Sequence, residues 1–265
     1  FLWLLSATAM TFLGIVLSAV RWQSVLRALR LRERLRVLVP LYFAGQFVSN
    51  VLPTTIGGDV LRVSRLSKIN GEPETTFASV ALERLTGWLV LPLITFFGLV
   101  INPGLRELGR ATLLALAVAL VTLIALVVVL LAANHPRLGG RFASTDGWRR
   151  FVDAVHRSVT ELRRQPLAAL SILAAGLVYQ VALCLAALMV AAALGFSWLG
   201  LTALLAFYPA VLILQVLPIG IAGLGVRESA FVLFLVPLGV PAEKAVPSLD
   251  TRNIFLLIFV RTIPS

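Results

Sequence analysis

Residues 50–62 read Asn-Val-Leu-Pro-Thr-Thr-Ile-Gly-Gly-Asp-Val-Leu-Arg, and residues 215–227 read Gln-Val-Leu-Pro-Ile-Gly-Ile-Ala-Gly-Leu-Gly-Val-Arg. Aligned on Pro53 and Pro218, each has an amide at −3 (Asn50, Gln215), Val-Leu before the proline, Ile at +3, Gly at +5 (Gly58, Gly223) and Arg at +9 (Arg62, Arg227). Each copy interrupts a long apolar stretch with Pro, Gly and charge. Paired interruptions at corresponding places in two halves of a membrane chain point to a transporter's binding site. In a chain so rich in Leu, Val and Ala, the weight rests on the coincidence of Pro, Gly and Arg.

Working outward, composition puts the chain in a membrane. Hydrophobic residues make up 59% and charged residues 13%, where soluble domains carry roughly 25% charged. Segments 2–20, 85–101, 111–133 and 167–194 are apolar runs near the length of about 20 residues needed to cross a bilayer. In segment 2–20 the Arg-rich flank follows the apolar run instead of preceding it, which is not the order of a signal peptide. The apolar ends at Phe1 and Ser265 suggest that further helices or a domain extend beyond this stretch.

The net charge of +11 is concentrated. Arg21, Arg27, Arg30, Arg32, Arg34 and Arg36 crowd one expected loop, 21–36. Seven further arginines crowd a second, 137–164. Basic loops set between apolar spans fit the positive-inside rule, not nucleic-acid binding, and place both in the cytoplasm next to anionic inner-leaflet lipids. Helix 1–20 then runs inward. Segment 37–66 enters and returns on the inner side, because Arg62, Arg65 and Lys68 follow the break. Helix 77–101 runs outward, 111–133 returns, and 167–194 goes out again. Segment 200–236 dips in from outside, and the chain from about 249 runs inward.

The expected fold is therefore an all-α integral membrane protein. It is a polytopic helical bundle with two inverted repeats, about 1–101 and 167–265, each containing a re-entrant broken helical hairpin. Helix 111–133 and the basic segment 134–166 link them. Residues 147–165 carry Trp148, Phe151, Val152, Val155, Val159 and Leu162 at helical spacing, either an interfacial amphipathic helix or a connector docked on the bundle.

Candidate site residues follow from the breaks. Gly57, Gly58, Gly223 and Gly225 permit turns with positive φ, and a helix starting after such a turn offers N–H groups to an anion. The bland alternative is close helix packing. Ionisable groups within membrane segments face a bundle interior or a wet cavity. Here they are Asp59, Arg62, Glu83, Arg84, Arg227, Glu228, Arg252 and Arg261, with Arg252 read as interfacial. Arginine suits bidentate phosphate binding, with an internal salt bridge or snorkelling as the competing role. Cys184 lies alone in an apolar run, His135 and His156 lack metal-ligand spacing, and no phosphate loop or catalytic Ser/His/Asp set is readable. No cofactor is expected.

These residues also carry a resemblance. Gly45-Gln46-Phe47 through Asn50, Leu52-Pro53, Ile56-Gly57-Gly58-Asp59 with Arg62, Leu82-Glu83-Arg84-Leu85, Gly223-Leu224-Gly225-Val226-Arg227-Glu228 and Arg261 resemble the lysylphosphatidylglycerol synthase transmembrane-region family, also called flippase-like domain proteins. Thr54-Thr55 departs from the Gly-rich stretch expected after the proline. The resemblance implies a bacterial or archaeal cell-membrane protein that moves lipids with modified, phosphate-containing headgroups, such as aminoacylated phosphatidylglycerol or a glycosylated carrier. A lipid is the expected substrate, and a synthase domain or a second copy of the chain is a possible partner. The alternatives are a membrane-embedded transferase acting on a lipid phosphate, and a scaffold for a lipid synthase.

Overall fold

A computed structural model describes residues 2–51, 57–134, 160–162, 164–216 and 226–241. Among these the structure is all helical, with no strand. Four helices are long and apolar enough to cross a membrane, by length and composition: α1 (Leu2–Ala28), α4 (Pro73–Ile101), α5 (Arg110–Asn134) and α6 (Pro166–Ala193). The polytopic all-α membrane class expected from hydropathy is what the fold shows.

Between the long helices the chain folds back in short ones. Helix α2 (Leu35–Val51) and helix α3 (Gly57–Asn70) have 17 and 14 residues. At about 1.5 Å per residue neither spans a hydrocarbon core of about 30 Å. They lie antiparallel: Ser49 Oγ accepts a hydrogen bond from the Gly58 N–H at 3.2 Å, Gly45 faces the stem of Arg62, and Leu38 shares a buried cluster with Leu66. Helix α7 (Leu201–Val216) and helix α8 (Val226–Leu235) form a second antiparallel pair. Phe207 stacks on Phe234 with ring centroids 5.6 Å apart, and Tyr208 meets Phe231 at 6.4 Å.

The two pairs attach to opposite ends of the bundle. Ala28, at the end of α1, accepts from Gln165 Nε2 at 3.3 Å just before α6, while Gln23 Nε2 donates to the Glu33 carbonyl before α2. The α3–α4 turn lies at this same end, where Trp22 Nε1 donates to Ser79 Oγ near the start of α4. At the other end, Asn102 Nδ2 donates to Thr202 Oγ1 at 3.1 Å, linking the exit of α4 to the entry of α7, and Gly239 returns beside Trp198. Helices α1 and α6 run antiparallel: Gly14 faces Leu183 and Tyr179, and Ala7 clusters with Ala186 and Val190.

One expectation is corrected. Arg21, Arg27 and Arg36 do not belong to a basic loop 21–36, because α1 continues to Ala28 and α2 begins at Leu35. Trp22, Val25 and Leu26 extend the apolar face beyond residue 20 and are fully buried. Helical periodicity therefore carries the chain past Arg21 instead of ending there. Most of the expected helix 147–165 lies outside the described residues.

Small residues set the close contacts. A Cβ on Gly98 would sit 2.5 Å from the Ala206 backbone nitrogen, so α4 and α7 touch main chain to main chain. Gly98→Ala should destabilise the bundle by about 1–3 kcal/mol, the usual cost of overpacking. Thermal unfolding in detergent reads this, and an unchanged midpoint would show that α7 shifts freely on α4.

Candidate functional site

The described charges of the candidate set converge in one place. Helix α3 has Asp59 and Arg62 one turn apart, and α4 carries the adjacent pair Glu83-Arg84. Glu83 is ten residues into α4, about 15 Å from its start. It is 1% exposed. A lone carboxylate at such depth would be costly, and here it has three donors. Arg21 Nη2 and Tyr42 Oη donate to Oε1, each at 3.0 Å, and Arg62 Nη1 donates to Oε2 at 2.8 Å. Asp59 accepts from Arg62 Nη2 on one oxygen and from Arg84 Nε at 2.7 Å on the other.

Aromatic rings complete the shell. The Arg62 guanidinium lies 4.4 Å from the Tyr42 ring centroid and 5.0 Å from that of Trp22, and Arg21 lies 5.1 Å from Tyr179. These are cation–π distances, and rings tolerate a buried guanidinium better than aliphatic groups do. The geometry needs Gly45 and Gly58, which let α2 and α3 approach closely enough for Arg62 to reach both carboxylates. A Cβ on Gly58 would lie 2.3 Å from the Gly45 carbonyl oxygen. Gly57 and Gly58 open α3 with helical backbone, and neither has the positive φ expected of a turn. The reason Gly58 must be glycine is packing. Its N–H is taken by Ser49 Oγ, so this group is not directed at a ligand.

A cavity of about 60 Å³ opens beside the network. Arg21, Arg62, Glu83 and Arg84 line one side, Tyr179 and Gln180 of α6 another, and Leu212 and Ile213 of α7 a third. Both antiparallel pairs thus border the same space. Two buried donors of cavity-lining residues, Arg21 Nε and Gln180 Nε2, have no hydrogen-bond partner among the described residues. Three guanidiniums meet two carboxylates among the described residues of this network.

Asp59, Arg62, Glu83 and Arg84 are thus brought together. Gln215 and Glu228 are half-buried in α7 and α8. Asn50 and Arg227 lie within α2 and α8, but their side chains are not described. Pro53, Pro218, Gly223, Gly225 and Arg261 lie outside the described residues. Arg21, Trp22, Tyr42, Tyr179 and Gln180 complete the site without having been singled out in the sequence. The available signal for Arg21 was its place one residue before Trp22 on an apolar face that runs on to Leu26. Among the described residues no group of His, Cys, Asp and Glu has the makings of a metal site.

No curated protein and no solved structure is similar enough to match the chain. A family model does match, over residues 1–263, and its description is the lysylphosphatidylglycerol synthase TM region. With a match over that length and a fold of apolar crossing helices around a buried Glu-Arg network, the chain belongs to the lysylphosphatidylglycerol synthase TM region family.

Proposed function

We propose that this protein moves a lipid with a phosphate-containing headgroup across the bilayer, the headgroup passing through the cavity while the acyl chains stay in lipid. The observation that carries the reading is a cavity that both helical pairs border, lined by the guanidiniums of Arg21, Arg62 and Arg84 and by the buried donors Arg21 Nε and Gln180 Nε2, which have no partner among the described residues. An anion entering the cavity accepts from these donors in a low-dielectric setting, where charge-assisted hydrogen bonds are strong. The two pairs attach at opposite ends of the bundle and α1 runs antiparallel to α6. That arrangement supports two inverted repeats with re-entrant hairpins, the architecture of transporters whose sites lie near the midplane. In this reading the chain performs no bond-making step and takes its place in the cell membrane with residues 29–34 at the cytoplasmic face.

Arg84 provides the test. It is partly exposed, and Arg84→Gln removes one positive charge from the cavity wall while Arg62 keeps both carboxylates. In proteoliposomes with fluorescent phospholipid and a membrane-impermeant quencher, Arg84→Gln should lower translocation at least about tenfold, with little change in melting temperature. Undiminished translocation by this variant would refute the headgroup site. An acid residue required for product formation from a lipid phosphate in vitro would favour a transferase instead.

Topology has its own check. In a background where the buried Cys184 is replaced by alanine, cysteines at Arg32 and Gly71 should label from one side of the membrane. Cysteines at Asn102 and Trp198 should label from the other. Labelling of Arg32 and Gly71 from opposite sides would exclude a re-entrant α2–α3 pair.

A further inference from the structure

We infer that the headgroup phosphate seats at the junction of α1, α4 and α6, gripped by Arg21 Nε and Gln180 Nε2, with Gly87 and Gly176 as the residues that keep the seat open. The inference deepens the transport reading and rests on it for the lipid origin of the ligand. It separates the groups that touch the ligand from the charges that tie the helices together.

Arg21 is 8% exposed and Gln180 4%. Both line the cavity, and each has a nitrogen donor without a partner among the described residues. Arg21 spends Nη2 on Glu83 Oε1 at 3.0 Å, which fixes the guanidinium and leaves Nε unmatched. Buried donors in folded proteins are answered by acceptors. A phosphate oxygen is an acceptor, and its hydrogen bond from a guanidinium is a strong one.

The two side chains reach the same place. A Cβ on Gly176 would lie 3.7 Å from Arg21 Cδ, so Arg21 meets α6 at that residue. Gln180 follows Gly176 by about one helical turn, on the same face of α6 and about 5.4 Å along its axis. Between these levels the Arg21 guanidinium lies 5.1 Å from the Tyr179 ring centroid. Charge-assisted hydrogen bonds run about 2.8 Å, so one phosphate can offer an oxygen to each donor across that gap.

The glycines clear the space. A Cβ on Gly87 would lie 3.4 Å from Arg21 Nη1, and one on Gly176 would lie 3.3 Å from Val90 Cγ2. Both residues line the cavity from different helices, and neither has a positive φ. Backbone conformation therefore does not call for glycine at either position. The Gly87 contact has ordinary van der Waals length, so packing does not call for it there either. What a methyl would change is the room beside Arg21, in a cavity of about 60 Å³.

The test measures binding separately from transport. Purified protein in neutral detergent is titrated with phosphatidylglycerol, with diacylglycerol of the same chains, and with soluble glycerol 3-phosphate. Native mass spectrometry reads occupancy. Phosphatidylglycerol should bind and diacylglycerol should not. Gln180→Leu should weaken phosphatidylglycerol binding at least about tenfold, the loss of one hydrogen bond to a charged group. Its melting temperature should stay level or rise, because Nε2 has no bond to lose. Arg21→Lys keeps a cation for Glu83, removes Nε, and should weaken binding to a similar extent. Gly87→Ala should weaken it severalfold with little change in melting temperature.

Full occupancy in both Gln180→Leu and Gly87→Ala would overturn the seat and leave the transport reading standing. Weaker binding in Gln180→Leu together with a lower melting temperature would also overturn it, since that marks a structural role. Full occupancy in Gly87→Ala alone would overturn the part given to the glycines. Diacylglycerol binding as well as phosphatidylglycerol would overturn phosphate recognition. Glycerol 3-phosphate competing as well as the lipid would support the seat and overturn its lipid origin. Weakened binding in Gln180→Leu with undiminished translocation in vesicles would support the seat and refute the transport reading.

Discussion

Glu83→Gln should destabilise the protein by about 3–5 kcal/mol, the cost of removing one partner from a buried ion pair. The effect is large because Glu83 of α4 is the point where three other helices meet it. Arg21 of α1, Tyr42 of α2 and Arg62 of α3 all donate to its two oxygens. Glutamine keeps the shape and loses the charge, so both guanidiniums are left in a dry interior with Asp59 as the remaining carboxylate. The measurement is the unfolding midpoint of detergent-purified protein, followed by fluorescence-detected size exclusion. Adding Arg21→Met to Glu83→Gln removes one orphaned guanidinium and should recover part of the loss. If the double variant is no more stable than the single, charge pairing is not what holds these helices together, and packing of the aromatic shell must be.

Gly58→Ala should cost about 3 kcal/mol, the upper end of the overpacking range. The added Cβ would lie 2.3 Å from both the Gly45 carbonyl oxygen and Ser49 Oγ. One obstacle is backbone, so relief requires α2 to move away from α3. That movement draws Arg62 off Glu83 and breaks the Ser49 bond to the Gly58 N–H. Gly14→Ala is the internal control. Its Cβ would meet the Leu183 side chain at 3.4 Å, an ordinary contact, and its effect should stay within about 1 kcal/mol. Equal melting temperatures for the two alanine variants would show that α2 and α3 separate without penalty, and the close-packing account of Gly58 would fail.

The two effects share a cause. Water cannot solvate charges or backbone inside the bilayer, so every polar group there must be answered by another part of the chain. Glu83 is answered by residues 21, 42 and 62, none within a helical turn of it. The Gly58 N–H, at the open start of α3, is answered by a serine from the last turns of α2. The charge cluster is therefore both part of the fold and the proposed headgroup site. The Arg84 variant separates these roles, since Arg84 lies at the edge of the network and Glu83 lies at its centre.

Hydropathy and the positions of Pro, Gly and charge already establish an all-α membrane bundle and its long helices, and they point to interruptions near Pro53 and Pro218. They also mark Asp59, Arg62, Glu83 and Arg84 as unusual, because any ionisable residue inside an apolar run must have a reason to be there. These are local properties, readable one segment at a time. Which charges meet is not local. Arg21 looked like the first residue of a basic loop because its neighbours to 36 are rich in arginine, and only the packing of α1 against α4 brings it to Glu83. Gly58 looked like a turn residue because it follows a proline break, and only the antiparallel contact with Gly45 gives it a packing role. Pairing across 62 residues in one case and 13 in the other depends on how helices are placed side by side. That placement is decided by the summed burial of whole helix faces and by polar groups seeking partners in a medium without water, and no window of sequence contains it.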